Sequence, residues 1–81
     1  PPEVLHFNGE VKEIGDGNLL VTYLSTADGF MELSDGDYVM STDNLRDEVQ
    51  EGDVVTIWFG GIILETAPAQ LTNVYRIEKA E

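Results

Sequence analysis

The stretch that decides the fold is residues 49–77, which read VQEGDVVTIWFGGIILETAPAQLTNVYRI. The Gly-Asp pair at 52–53 is typical of a tight turn. The residues after it alternate, with Val55, Ile57 and Phe59 on one face, which predicts a strand whose inner side is buried. Since such an apolar surface is unfavourable in water, the other half of the chain has to cover it.

The second half of this stretch predicts two more short strands. A glycine pair at 60–61 interrupts the first strand, and the apolar pattern restarts from Ile62 to Leu64. Pro68 has no amide hydrogen to donate, so a hydrogen-bonded ladder has to end or bulge there. The pattern returns from Val74 to Ile77 as a last strand.

The N-terminal half supplies the partner strands. Apolar and polar residues alternate from Leu5 to Val11, and the apolar parity then slips to Ile14, which predicts a β-bulge near Lys12-Glu13. Residues 15–18 (GDGN) are a turn by composition. The strand predicted from Leu19 to Ser25 is apolar on both faces and is therefore expected to be central.

The remaining elements are short. Gly9 lies inside the first strand, where the missing Cβ allows a sharp bend. Strands are predicted from Phe30 to Leu33 and from Tyr38 to Met40, and residues 45–50 are predicted to form one or two turns of helix. About five strands with one short helical link predict an all-β fold, a small OB-like Greek-key barrel that forms a single domain over residues 1–81.

The charge balance restricts the partners. Sixteen Asp and Glu oppose four Lys and Arg, for a net charge of −12 on 81 residues. This field disfavours nucleic acid and anionic lipid, so no nucleic-acid partner is expected and a basic or neutral partner fits better. No apolar run approaches the ~20 residues of a membrane-spanning helix. Because the chain begins Pro1-Pro2 rather than with Met, it is interpreted as a processed product or fragment, with room for a lipid anchor upstream.

Three blocks of the sequence resemble the YobA-like proteins, a bacterial family of unknown function. The blocks are Phe7-x-Gly9-x-Val11, Gly52-Asp53-x-Val55-x-Ile57-x-Phe59-x-Gly61 and Glu65-Thr66-x-Pro68-Ala69-Gln70. The resemblance implies an OB-type barrel that is exported in Gram-positive bacteria, often as a lipoprotein, and hence an extracellular or cell-surface location. The chain departs from the family at Ala67, where an aromatic residue is usual, and it has a longer 46–51 link.

Residues for catalysis are scarce. The chain has no cysteine and no Gly-x-Ser-x-Gly motif, and its one histidine, His6, lies on the polar face of the first strand, where it is expected to be exposed. The domain is therefore predicted to be a binding module rather than an enzyme, with no cofactor. A small hydrolase or enzyme accessory domain that uses acidic residues remains an alternative.

Calcium binding is a second alternative. Two acidic groups invite this interpretation, namely Asp35-Gly36-Asp37 and the set Asp43, Asp47 and Glu48. Neither has the regular spacing of a calcium-binding loop. Weak calcium binding is therefore kept as an alternative function, and no metal ligands are assigned.

Strand parity supplies the candidate interface. If Val55, Ile57 and Phe59 point inward, Val54 and Trp58 point outward, and the next strand adds two further apolar side chains. The predicted patch consists of Val54, Trp58, Ile62 and Leu64. Exposed apolar patches usually mark interfaces, so a homodimer contact or a docking face for another protein is predicted here. The alternative is that another segment of the same chain covers the patch.

A separate loop motif consists of Glu65, Pro68 and Gln70. Gln70 carries both donors and an acceptor, which suits it to hold the backbone of the loop in place. The alternative is that the motif contacts a ligand.

Overall fold

The computed structural model describes residues 5–26, 36–60 and 63–80. Within these ranges the chain is all-β and contains no helix. The strands are β1 (Leu5–Ile14), β2 (Asn18–Thr26), β3 (Asp37–Ser41), β4 (Val54–Phe59), β5 (Ile63–Leu64), β6 (Ala69–Leu71) and β7 (Val74–Lys79). They form one mixed sheet in the order β5-β6-β3-β2-β1-β4-β7.

The all-β prediction is confirmed, but its details differ. The described chain has seven strands rather than five, and the sheet is not closed into a barrel. The strand predicted over residues 30–33 lies outside the described residues. The strand predicted over residues 19–25 is central, as expected, because β2 pairs with both β1 and β3.

β1 is the longest of the described strands and bends along its length. In its ladder with β2, Val11 pairs with Val21 and Glu13 pairs with Leu20, so the register skips Lys12. The predicted bulge near Lys12-Glu13 is therefore confirmed. A second register shift falls between Asn8 and Gly9, and such irregularities increase the local bend and twist of a strand.

One face of the sheet encloses a single core. Its buried apolar residues are Phe7, Val11, Leu19, Val21, Tyr38, Met40, Val55, Ile57, Phe59, Leu71 and Ile77. Leu71 on β6 and Ile77 on β7 come from opposite parts of the strand order but join the same core. The sheet therefore curves strongly. Val55, Ile57 and Phe59 are all buried, so the predicted burial of the inner side of β4 is confirmed.

Residues 45–50 do not form the predicted helix. Leu45 makes an isolated parallel bridge with Ile77. The amide of Arg46 donates to the carbonyl of Ile77 at 3.0 Å, and the amide of Ile77 donates to the carbonyl of Asn44 at 3.1 Å. The carbonyl of Asn44 and the amide of Arg46, at the start of the predicted helix, are thus paired with the outer edge of β7, where they satisfy an otherwise unpaired strand.

The turn before β4 forms at the predicted glycine. Gly52 has a φ of 95°, a left-handed conformation that favours glycine. The amide of Asp53 donates to the carbonyl of Gln50 at 3.1 Å, and the amide of Gln50 donates to Asp53 Oδ2 at 2.8 Å. The amide of Gly52 donates to the carbonyl of Val11 at 2.8 Å, which attaches this turn to β1.

Candidate functional site

Three adjacent strands, β1, β4 and β7, present their outward side chains side by side. In the two ladders Trp58 pairs with His6 on one side and with Arg76 on the other. Residues that pair across an antiparallel ladder lie on the same face of the sheet. We call this surface the outer face; it consists of His6, Asn8, Glu10, Val54, Thr56, Trp58, Arg76 and Glu78.

Trp58 is half-buried at the centre of one row of the outer face. The His6 ring stacks on the indole with 5.7 Å between centroids and 25° between planes. The guanidinium carbon of Arg76 lies 5.4 Å from the centroid of the indole, a cation–π geometry. Since β1 and β7 flank β4 on opposite sides, the two groups approach the indole from opposite sides.

His6 differs from its sequence-based prediction. It was expected to be exposed, but it is half-buried, because its ladder partner is Trp58. The strand parity of β1 already placed His6 outward. The pairing that brings it to Trp58 joins residues 52 positions apart along the chain (58 minus 6) and is not visible in a local pattern.

A second row of the outer face is tied together by hydrogen bonds. Thr56 Oγ1 donates to Asn8 Oδ1 at 2.7 Å, and Asn8 Nδ2 donates to Ser25 Oγ at 3.3 Å. Glu78, which pairs with Thr56 in the same row, forms an ion pair with Arg76. The side chains around Trp58 are therefore held by several contacts, which lowers the conformational entropy that binding would remove.

The predicted interface residues fall in different parts of the sheet. Val54 is 36% exposed and lies with Trp58 on the outward side of β4. Leu64 is 45% exposed, but it belongs to β5 and pairs with Gln70 on β6, at the other end of the strand order. Ile62 lies outside the described residues. The strand pairing thus places His6 and Arg76, rather than Leu64, beside Trp58.

The loop motif before β6 makes its contacts within the loop. Glu65, Pro68 and Gln70 are all exposed. Thr66 Oγ1 donates to the carbonyl of Pro68 at 2.6 Å, and Gln70 Nε2 donates to Thr66 Oγ1 at 3.3 Å. Gln70 is therefore attached to the loop backbone through the Thr66 hydroxyl.

Among the carboxylates of the described residues, Asp37 is the one whose pKa the surroundings change most clearly. Thr22 Oγ1 donates to Asp37 Oδ1 at 2.8 Å, and Lys12 Nζ lies 3.3 Å from Asp37 Oδ2. These contacts, first the Thr22 hydroxyl and then the Lys12 ammonium, lower the pKa of Asp37 below its usual value. Asp37 belongs to one of the two acidic groups considered for calcium, and its neighbour Asp35 lies outside the described residues. In the described part of the chain no three metal-ligating side chains come together.

Thr22→Val is expected to raise the pKa of Asp37, because it removes the hydroxyl that stabilises the ionised carboxylate. The folded-state pKa is lower than the unfolded one, so ionised Asp37 stabilises the fold above its usual pKa. That stabilisation is lost as the pH falls through the folded-state pKa. Because Thr22→Val has less of this stabilisation to begin with, its free energy of unfolding should change less over the same pH range. NMR titration of the Asp37 carboxyl carbon measures the shift.

Thr56→Val is the matched control, because Thr56 donates to the amide oxygen of Asn8 rather than to a carboxylate. This control should leave the pKa of Asp37 unchanged. An Asp37 titration that is the same in Thr22→Val as in the wild type would contradict the assigned cause.

No protein-family model matches the chain, and comparisons with curated proteins and with solved structures find no match either. No helix in residues 5–26, 36–60 or 63–80 is long and apolar enough to cross a membrane.

Proposed function

We propose that this domain is a non-catalytic binding module that recognises another protein through the outer face, with Trp58 at the centre of the contact. The observation that carries the proposal is a half-exposed tryptophan on the surface of a strongly acidic domain, held between His6 and Arg76. Tryptophan and arginine are enriched among the residues that dominate the energetics of protein interfaces.

The packing around Trp58 also suits this role. An interface residue contributes most when it is already ordered before binding, because less conformational entropy is then lost. The stacked His6 ring and the Arg76 guanidinium restrict the indole, and the Thr56–Asn8–Ser25 hydrogen bonds fix the adjacent row. Val54, 36% exposed on the same face, adds apolar area to the contact.

Trp58→Ser is expected to weaken binding by about 10- to 30-fold, since truncation of a central interface residue costs roughly 1.4–2 kcal/mol. Peptides selected from a random display library on the wild-type domain serve as probes, and fluorescence anisotropy of the labelled peptides gives the Kd. Leu64→Ser is the control, because Leu64 is also an apolar surface residue, 45% exposed, but lies on β5. Selected peptides that bind Trp58→Ser as tightly as the wild type would refute the proposal.

The same variant should remain folded. The stacked ring and the cation–π contact together contribute about 1–2 kcal/mol, so the Tm should fall by roughly 5–15 °C in a domain of this size. Thermal melts followed by circular dichroism separate this loss from unfolding. Complete unfolding of Trp58→Ser would instead place the indole in the core.

A second copy of the chain is the alternative occupant of the outer face. Sedimentation equilibrium of the wild type and of Trp58→Ser distinguishes the two cases. If the wild type is a dimer and Trp58→Ser is a monomer, the outer face is a homodimer contact rather than a docking site for another protein.

We further propose that the fold is an OB-like Greek key in which the last strand is interrupted. The support is that β6 pairs in parallel with β3, β7 pairs antiparallel with β4, and only two residues, Thr72 and Asn73, separate β6 from β7. Such a last strand would join the two ends of a partly open five-stranded barrel. An extracellular or cell-surface location is likewise a proposal, and it rests on the resemblance to the YobA-like proteins.

A further inference from the structure

We infer that the partner presents a basic segment with apolar side chains, which is drawn in by an acidic border and docks on a nearly neutral outer face. This inference rests on the proposed function and adds the chemistry of the partner. Its basis is the uneven distribution of charge between the outer face and the loop beside it.

The outer face carries little net charge. Among its eight residues, Glu10 and Glu78 are negative and Arg76 is positive, so its formal charge is −1 (one positive minus two negative), whereas the whole chain carries −12. Arg76 and Glu78 form an ion pair, which leaves Glu10 as the one carboxylate of the face outside it. Trp58 and Val54 therefore lie on a surface from which little charge has to be desolvated.

The loop from residue 44 to residue 53 borders this surface on two sides. Along β7, Leu45 bridges to Ile77, and the amide of Lys79 donates to Asp47 Oδ2 at 2.9 Å. At the Val54 end, the 50–53 turn is hydrogen-bonded to Val11. Three exposed carboxylates on this loop, Asp47, Glu48 and Glu51, form what we call the acidic rim. They outnumber the two cations beside them, Arg46 and Lys79, and the Lys79 ammonium lies 3.6 Å from Asp53 Oδ2.

These two features favour a basic partner over a second copy. A second copy also carries −12 and is repelled as it approaches, whereas a basic segment is attracted. Charges at the rim of an interface mainly change the association rate, whereas well-packed central residues mainly change the dissociation rate. The acidic rim should therefore control association, and Trp58 should control dissociation.

The probe is a labelled peptide of strand length in which lysine and leucine alternate, with a second peptide in which serine replaces every lysine. We expect saturable binding of the lysine peptide, with amide shifts in ¹⁵N spectra concentrated on the outer face and the acidic rim. Stopped-flow anisotropy should show that Glu48→Gln/Glu51→Gln lowers the association rate by about 3- to 10-fold at low salt and leaves the dissociation rate nearly unchanged. Trp58→Ser should raise the dissociation rate about tenfold.

Asp16→Asn/Glu65→Gln is the charge-matched control, because these exposed carboxylates lie on the β1–β2 turn and the β5–β6 connection, which do not adjoin β4 or β7. If this control lowered the association rate by the same factor, the peptide would be attracted by the net charge of the whole domain. The proposed role of the acidic rim in association would then be wrong. The inference of a basic partner would be wrong if the serine peptide bound as tightly as the lysine peptide. It would also be wrong if library peptides needed Trp58 but carried no excess of lysine and arginine. Either result would leave the proposed function intact. Lysine-peptide binding that is unaffected by Trp58→Ser would overturn the docking site itself.

Discussion

Ile57→Ala is expected to remove most of the free energy of unfolding and to leave a fold of marginal stability at 37 °C. Ile57 is fully buried on β4, and its ladder partners are Phe7 on β1 and Ile77 on β7, both fully buried as well. The substitution removes apolar area and leaves a cavity where three strands meet, at a cost of about 3–4 kcal/mol. Small domains bury a modest share of their surface and have total stabilities near the low end of ~5–15 kcal/mol.

Urea denaturation followed by circular dichroism measures this loss. Ile57→Val is the control, because it removes a single methyl group and should cost about 1 kcal/mol. A cooperative melt of Ile57→Ala within a few degrees of the wild type would show that the core does not depend on this position.

Local patterns in the sequence were enough to predict much of the sheet. The two-residue period predicted the buried side of β4, and the slip in parity predicted the bulge at Lys12 in β1. The turn at Gly52 was predicted from its composition, and its φ of 95° gives the physical reason for the glycine. Each of these features depends on residues that are close together along the chain.

The features that were missed depend on distant pairing. Residues 45–50 follow suitable capping residues at 41–44, yet the start of this segment, Leu45 and Arg46, pairs with β7, about 30 residues later. A helix of one or two turns is marginally stable by itself. The backbone groups of this segment can therefore pair with the exposed edge of β7 instead of with one another. The division of the last part of the chain into β5, β6 and β7 likewise depends on partners in β3 and β4.

The candidate site shows the same division between local and distant information. Parity placed Trp58 and Val54 on the outward side of β4, where the structure has them. The register of three strands decides that His6 and Arg76, rather than Leu64, lie beside Trp58. The interface residues were proposed as a purely apolar patch, whereas the surface around the indole combines aromatic, cationic and hydrogen-bonding groups.

Gly9→Val is expected to destabilise the fold by about 2–3 kcal/mol, because it overpacks the inner side of β1. Gly9 is buried on the same side as Phe7 and Val11. A Cβ at this position would lie 3.2 Å from Val21 Cγ2, closer than the 3.5–4.0 Å of a favourable carbon contact, and 3.1 Å from the carbonyl oxygen of Thr22.

Neither neighbour of Gly9 can move away easily. Val21 is fully buried in the core, and the Thr22 oxygen belongs to the backbone of the paired strand β2. A valine adds two further methyl groups to this crowded point, so β1 and β2 have to separate where the register already shifts. Gly9→Ala, which adds the Cβ alone, should cost about 1 kcal/mol and serves as the graded control. In thermal melts the Tm of Gly9→Val should lie roughly 8–20 °C below that of the wild type, with the Tm of Gly9→Ala between them. Equal Tm values for the two variants would show that the close approach of β1 and β2 is not what requires glycine here.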